Sequence, residues 1–303
     1  MMATLFTRNA TGMLFAALAA MASVPALAQT TYWNLDKNCP TTNNTTTNGQ
    51  YTNVLNGNTL LCKNSPQAGV SDTPVAALDG TANYAVVTAW GTENNTAGAT
   101  FSAKKLLNHG NSYGLGVVNG AETSSDGQHA TDNKDRTDAV LFEFDPSKPV
   151  TLDTITLGWR NKDSDLSVFA YTGVGSPLPL DISLGNPIGE GWTLVQHVNG
   201  ACVTVTNGVC TGSTSTDLNV DVNNGIPGVS SSWWLISAYN ANYGACSPSC
   251  SAGDDFFKIS SLSGSWTQRP TTQVSEPGSI ALAGMALIGL VGVRRRQRAQ
   301  KSA

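Results

Sequence analysis

The stretch LDTITLGW, Leu152–Trp159, decides the fold class, because apolar and polar residues alternate along it. Alternation with a period of two is typical of a β-strand that buries one face. The polar segment RNKDSD follows, and then a second run of this type, LSVFAYT at Leu166–Thr172. The pattern predicts two short strands joined by a polar turn.

The rest of the chain between residues 29 and 274 follows the same pattern. Asn, Thr, Gly and Ser dominate it, and no convincing helical periodicity interrupts it. Thr and Val favour half-buried strands, and Gly, Asn, Asp and Pro favour the turns between them. We therefore predict an all-β fold: a single β-sandwich or jelly-roll-like domain over residues 29–274. The other alternating runs are Tyr84–Trp90, Ala139–Phe144, Trp192–Val198, Trp233–Tyr239 and Asp255–Gly264.

The N-terminus has the pattern of a secretory signal peptide. Arg8 precedes the apolar stretch Met13–Ala22, and the triplet ALA at Ala26–Ala28 precedes Gln29. A basic start, an apolar centre and small residues at the cleavage site define such leaders. We predict a signal peptide over residues 1–28, with cleavage between Ala28 and Gln29.

The charges are distributed unevenly along the 303 residues. Six of the 17 lysines and arginines lie in the leader or in the last ten residues, whereas all 21 acidic residues lie between residues 29 and 293. That central body therefore carries a formal charge of −10. Nucleic-acid binding needs clustered basic residues that neutralise phosphates, so we predict no nucleic-acid partner.

Six cysteines form three close pairs along the sequence, which fits disulfide bonds in an exported protein. Six cysteines allow fifteen connectivities, and pairing of near neighbours is the simplest of them. Cys39 and Cys62 enclose a polar, Asn/Thr-rich segment, which we expect to be a surface loop closed by a disulfide. The predicted pairs are Cys39–Cys62, Cys202–Cys210 and Cys246–Cys250.

Several Asp-rich loops suggest two interpretations, which the sequence leaves open. Asp and Asn commonly form turns, and they also supply the oxygen ligands of calcium. Neither the spacing nor the terminal Glu of an EF-hand loop is present. If calcium binds, it has a structural role, and no other cofactor is expected. The candidate ligands are Asp126, Asp132, Asp163, Asp165, Asp254 and Asp255.

Other chemistry has weaker support, and we predict that the protein is not an enzyme. The segment GNSYG contains Ser112 in a Gly-x-Ser-x-Gly pattern, but the helix that must follow a nucleophile elbow is missing. Seven tryptophans allow an alternative function, a carbohydrate-binding module with exposed tryptophans and calcium. The adjacent Trp233 and Trp234 must point to opposite faces of a strand, so one faces the core and the other faces solvent, a partner or a second layer.

The C-terminus carries the most specific pattern in the sequence. A Ser-Glu-Pro-Gly turn precedes an apolar run of 15 residues, Ser279–Val293, and a block of arginines follows. As a helix the run covers about 22 Å, which is short against a hydrocarbon core of about 30 Å. We predict a single transmembrane helix in a C-terminal segment, residues 275–303, with the arginines on the cytoplasmic side.

This tail resembles the PEP-CTERM sorting signal of exopolysaccharide-producing Gram-negative bacteria. Ser275 replaces the first proline of the Pro-Glu-Pro motif, and the other motif residues match. The resemblance implies an exosortase as partner, a transient anchor in the inner membrane, and cleavage near the motif. The matched residues are Ser275, Glu276, Pro277, Gly278, Arg294, Arg295 and Arg296.

The body is similar to the exosortase-dependent surface proteins, through residues 113–173 and the stretch DDFFKISSLSG. This second resemblance implies an exported, β-rich protein of the cell surface or the extracellular matrix. A structural or adhesive role linked to exopolysaccharide or biofilm is the expected function. Exopolysaccharide is then a further expected partner.

Overall fold

The computed structural model describes residues 28–35, 45–47, 50–52, 59–63, 84–109, 113–120, 129–178, 180, 182–185, 191–200, 202–222, 225–246, 250 and 255–267. Within these ranges the regular structure is β-strand, apart from one short 3-10 turn at Ala241–Tyr243. The fold is therefore all-β, as the alternation predicted. The strands are β1 Ala28–Asn34, β2 Thr45–Thr47, β3 Gln50–Thr52, β4 Thr59–Lys63, β5 Tyr84–Gly91, β6 Ser102–Asn108, β7 Leu115–Val118, β8 Thr131–Asp132, β9 Asp138–Phe144, β10 Val150–Lys162, β11 Leu166–Tyr171, β12 Trp192–Val198, β13 Thr204–Thr206, β14 Val209–Thr211, β15 Ser213–Thr214, β16 Leu218–Asp221, β17 Trp233–Ala238 and β18 Asp255–Thr267.

Sixteen of these strands form one curled sheet rather than two separate sheets. The front half runs in the order β12-β11-β17-β9-β5, and the back half is built around β7, β18 and β10. Strand β6 joins the halves, because its residues 102–104 pair with β5 and its residues 105–108 pair with β7. This continuity is the difference from the predicted sandwich, in which the two sheets would share no strand.

The main hydrophobic core lies between the two halves. Phe142 and Trp234 of the front half and Ile155 and Phe257 of the back half belong to one cluster of buried side chains. The indole N–H of Trp234 donates to the carbonyl oxygen of Val150 at 3.1 Å, which links the halves where they converge. Strand β1 contributes Trp33, which is fully buried 4.8 Å from the ring of Phe144.

A second apolar layer covers the outer face of the front half. Phe169 and Leu235 face this layer, and loop residues such as Phe101 and Ile182 close over them. Strands β9, β11 and β17 are therefore buried on both faces, whereas their alternation predicted half-buried strands. Trp233 packs against this second layer while Trp234 enters the main core, so the adjacent tryptophans point to opposite faces.

The long strand β18 defines two ends of the molecule. Twelve residue steps separate Asp255 from Thr267, which corresponds to about 40 Å. The Asp255 end contains the end of β10 and the start of β11, because Lys162 pairs with Asp255. The Thr267 end contains the start of β1 and the start of β10, because Ala28 pairs with Thr267 and Val150 pairs with Trp266.

Candidate functional site

Three buried carboxyl groups meet at the Asp255 end. Asp163 and Asp165 lie in the short link between β10 and β11, where the chain passes from the back half to the front half, and Asp255 opens β18. The link turns sharply, because Lys162 has a φ of 58°. The backbone N–H of Phe256 donates to the carbonyl oxygen of Asp163 at 3.0 Å, which holds the link against β18.

We call Asp163, Asp165 and Asp255 the carboxylate cluster. One carboxylate oxygen from each lies within 4.8 Å of the others. Asp165 and Asp255 are fully buried and Asp163 is 7% exposed. Burial of several carboxyl groups at such separations is costly unless protons, hydrogen bonds or a cation compensate their charge.

Backbone and amide N–H groups surround the cluster. Ser164 N donates to Asp163 Oδ1 at 2.9 Å, and Gly200 N donates to Asp165 Oδ1 at 2.8 Å. Asp255 accepts with both oxygens, from Asp165 N at 2.9 Å and from the side-chain amide of Asn133. Each carboxyl group is therefore held in one orientation by at least one donor.

Two residues that support the cluster are not among the sequence-predicted ligands. Asn133 accepts from Asp255 N at 2.9 Å and donates to the carbonyl oxygen of Tyr239 at 2.7 Å, so it joins β18 to the end of β17. A Cβ atom at Gly200 would lie 2.1 Å from the carbonyl oxygen of Ser164, so only glycine fits there. The local signal for Gly200 is its Asn-Gly pair, which is typical of turns.

The protonation of Asp255 differs from that of an exposed aspartate. Burial raises the pKa of Asp255 to about 9, and the negative charges of Asp165 and Asp163 contribute in the same direction. The donors Asp165 N and Asn133 oppose this pKa shift without cancelling it. At neutral pH Asp255 therefore carries a proton, which neutralises part of the buried charge.

Of the six predicted calcium ligands, the structure brings together Asp163, Asp165 and Asp255. Their oxygens suit a hard cation such as calcium, which prefers carboxylate and carbonyl ligands. Asp132 is buried in β8 opposite Phe256, outside this trio. Asp126 and Asp254 lie outside the described residues. A structural calcium ion remains a prediction from the sequence.

A second buried titratable group lies on the opposite face of β18. Lys258 is fully buried, its Nζ lies 4.5 Å from the centre of the Trp159 ring, and no hydrogen-bond partner contacts it among the described residues. Burial lowers the pKa of Lys258 to about 7. His109 is also buried, and burial together with the positive charge of Lys258 lowers its pKa to about 3. No local pattern marks Lys258 and His109 as buried, since lysine is usually exposed and histidine is usually only partly buried.

Two of the three predicted disulfides lie within the described residues. Cys202 is bonded to Cys210 with their Cα atoms 5.1 Å apart, and Cys246 is bonded to Cys250 with a Cα separation of 5.4 Å. The first bond closes the β13–β14 hairpin next to the carboxylate cluster, where Cys210 Sγ lies 3.6 Å from Asp163 Oδ2. Cys39 and the side chain of Cys62 lie outside the described residues, so their pairing remains a prediction.

The tryptophans do not form an exposed binding surface. Six of the seven are at most 9% exposed, and Trp233 is half-buried against the second apolar layer. The carbohydrate-binding alternative depended on exposed tryptophans and therefore gains no support from these positions. Ser112, the candidate nucleophile of a hydrolase, lies outside the described residues.

The predicted signals at the two chain ends are only partly described. Ala28 and Gln29 are the first residues of β1, and Ala26 lies outside the described residues, as do the sorting-motif residues and the predicted C-terminal helix. Within the described ranges, no helix has the length and apolar character needed to cross a membrane.

Comparison with known protein families identifies the C-terminal segment. Residues 273–296 match the PEP-CTERM protein-sorting motif. No curated protein and no solved structure matches the chain. The matched residues begin six positions after the end of β18 and include the Glu-Pro turn, the apolar run and the first arginines. The chain therefore carries a PEP-CTERM protein-sorting motif in its C-terminal segment.

Proposed function

We propose that the β-domain is the cargo of an exosortase-dependent sorting system and acts as a structural or adhesive component of the cell surface or matrix. The observation that carries this proposal is the sorting motif at residues 273–296, placed directly after the last strand of the domain. The motif implies a membrane-anchored precursor that is exported and processed by an exosortase. In this reading the protein is the substrate of that protease.

Three features of the body support export. The predicted body carries a formal charge of −10, which favours solubility outside the cell. Its disulfides Cys202–Cys210 and Cys246–Cys250 require an oxidising compartment. The strand β1 includes Ala28 and Gln29, the two residues on either side of the predicted leader cleavage site.

The structural role is favoured over catalysis by the character of the candidate site. The carboxylate cluster is buried, and backbone N–H groups fix its side chains. Such a site suits stabilisation of the corner between β10 and β11 rather than turnover of a substrate. An exopolysaccharide partner would then contact the outer surface of the domain, which is rich in Thr, Ser and Asn.

Truncation after Val274 tests the separation of cargo from sorting signal. The truncated protein should be exported and released from the membrane. Its free energy of unfolding should lie within about 0.5 kcal/mol of that of the processed protein, since surface changes of this kind have small effects. Cell fractionation and urea unfolding measure the two properties. A truncated chain that no longer folds would show that the tail belongs to the core and would contradict the proposal.

A further inference from the structure

The exit point of the sorting tail is fixed by strand pairing at the Thr267 end. Trp266 lies between Gln29 of β1 and Val150 of β10, and Thr267 pairs with Ala28. The last strand is thus an interior strand up to its end, with a neighbour on each side. The tail therefore leaves the domain from a defined position, next to the start of β1.

The distance from this exit point to the membrane is short. Eleven residues, 268–278, separate Thr267 from the apolar run that starts at Ser279. Even fully extended, eleven residues span at most about 40 Å. The Thr267 end is therefore tethered within that distance of the apolar run, whereas the Asp255 end lies farther from the tether by the length of β18, about 40 Å.

The surface of the Thr267 end suits contact with lipid. Val174 is 99% exposed on the loop that follows β11, and Ile226 is 44% exposed on the loop that leads to Ser231, the bridge partner of Val150. Lys148 lies at the same end of the domain, in the turn before β10, with its Nζ 5.0 Å from the centre of the Trp266 ring. Exposed aliphatic side chains with a nearby lysine are favourable at the headgroup region of an anionic bilayer.

We propose that the Thr267 end of the domain contacts the lipid surface of the anchoring membrane in the unprocessed precursor, with Val174 and Ile226 at the headgroups. In the sequence, the exosortase recognition motif at residues 275–278 then lies between the domain and the apolar run. This orientation directs the carboxylate cluster and the β13–β14 hairpin away from the membrane. The inference rests on the anchoring that the sorting motif implies.

Photo-crosslinking in vesicles of phosphatidylethanolamine and phosphatidylglycerol tests the orientation. The full chain carries p-benzoylphenylalanine at Val174, or at Ile226 as a second position, and intact mass measures the yield of phospholipid adduct. Val209 is the matched control, because it is another exposed valine (63%) but lies on the hairpin at the Asp255 end. The adduct yield at Val174 should exceed that at Val209 by at least about fivefold.

Flotation of the same vesicles tests the membrane anchoring separately from the orientation of the domain. The orientation alone would be overturned if the chains float but the adduct yields at both valines are equal, the yield at Val209 is higher, or neither position gives an adduct. Full-length chains that do not float would overturn the anchoring and the orientation together. The variant truncated after Val274 should lose both flotation and the adduct at Val174.

Discussion

Ala28 and Thr267 face each other across the β1–β18 ladder, so the first and last described residues of the chain are neighbours in the sheet. The peptide bond after Ala28 is the predicted site of leader cleavage, and it lies within this ladder. Because β18 is the last strand to be exported, β1 has no partner on β18 when the leader is cut. Closure of the β1–β18 ladder therefore follows leader removal in this scheme.

Strand β1 should be essential for stability because of Trp33. This side chain is fully buried against Phe144, and replacement of a buried tryptophan by alanine typically costs about 3–5 kcal/mol. We expect Trp33→Ala to reduce the free energy of unfolding of the processed protein by this amount in urea titrations. Tyr32→Ala, one residue away and 38% exposed, is the control and should cost less than about 1 kcal/mol. Equal losses in the two variants would show that β1 is not anchored through Trp33.

Asp255 should make the protein less stable as the pH rises. Its pKa in the folded protein is raised to about 9, against about 3.9 for an unfolded aspartate. Between these values the folded state keeps a proton that the unfolded state releases. The free energy of unfolding therefore falls between pH 4 and 9, by up to about 1.4 kcal/mol per pH unit for one proton.

Asp255→Asn should remove this fall in the free energy of unfolding with pH. Urea titrations of the variant and the unaltered protein, at several pH values and in the presence of chelator, measure the difference. Asp217→Asn, at an exposed position, is the control. An unchanged slope in Asp255→Asn would contradict the protonated state of Asp255. If the predicted calcium binds there, it competes with the proton, and added calcium raises Tm more at pH 8 than at pH 5.

Lys258 should have the opposite effect on the pH dependence. Burial lowers its pKa in the folded protein to about 7, against about 10.4 in the unfolded chain. Between these values the unfolded state binds a proton that the folded state lacks, so stability from this group rises with pH. Lys258→Met should abolish the rise and stabilise the protein at pH 7, because a buried ammonium group without a hydrogen-bond partner is replaced by an apolar chain.

Exposed Lys105 supplies the control for that measurement, as Lys105→Met should leave the slope between pH 7 and 10 unchanged. A slope in Lys258→Met equal to that of the unaltered protein would show that Lys258 reaches solvent in the folded state.

The strands and the tail were predictable because both are encoded locally. Alternation marks the runs around Leu152–Trp159 and Leu166–Thr172, and both are strands. The burial of both faces of β9 was not predictable, because it depends on loop residues such as Ile182 that pack over the sheet from elsewhere in the chain. Continuity through β6 likewise depends on which strands pair along its two halves.

The candidate site was predictable only in part. As oxygen-rich turn residues, Asp163, Asp165 and Asp255 are predictable from the sequence, and the fold brings them together. Asp132 meets the same criterion but lies elsewhere, since sequence composition does not specify which turns meet. The burial of Lys258 is not predictable, because desolvation of a strand residue arises from the tertiary packing of Trp159 and its neighbours.

The intact mass of the mature protein, in cells with and without an active exosortase, tests the central claim most directly. With the exosortase, we predict a mass that lacks residues 1–28 and the segment after the sorting motif, and the protein should be outside the membrane fraction. Without it, the mass should retain the apolar run and the arginines, and the protein should remain in the membrane. An identical mass and location in both strains would contradict the assignment of this chain as an exosortase substrate.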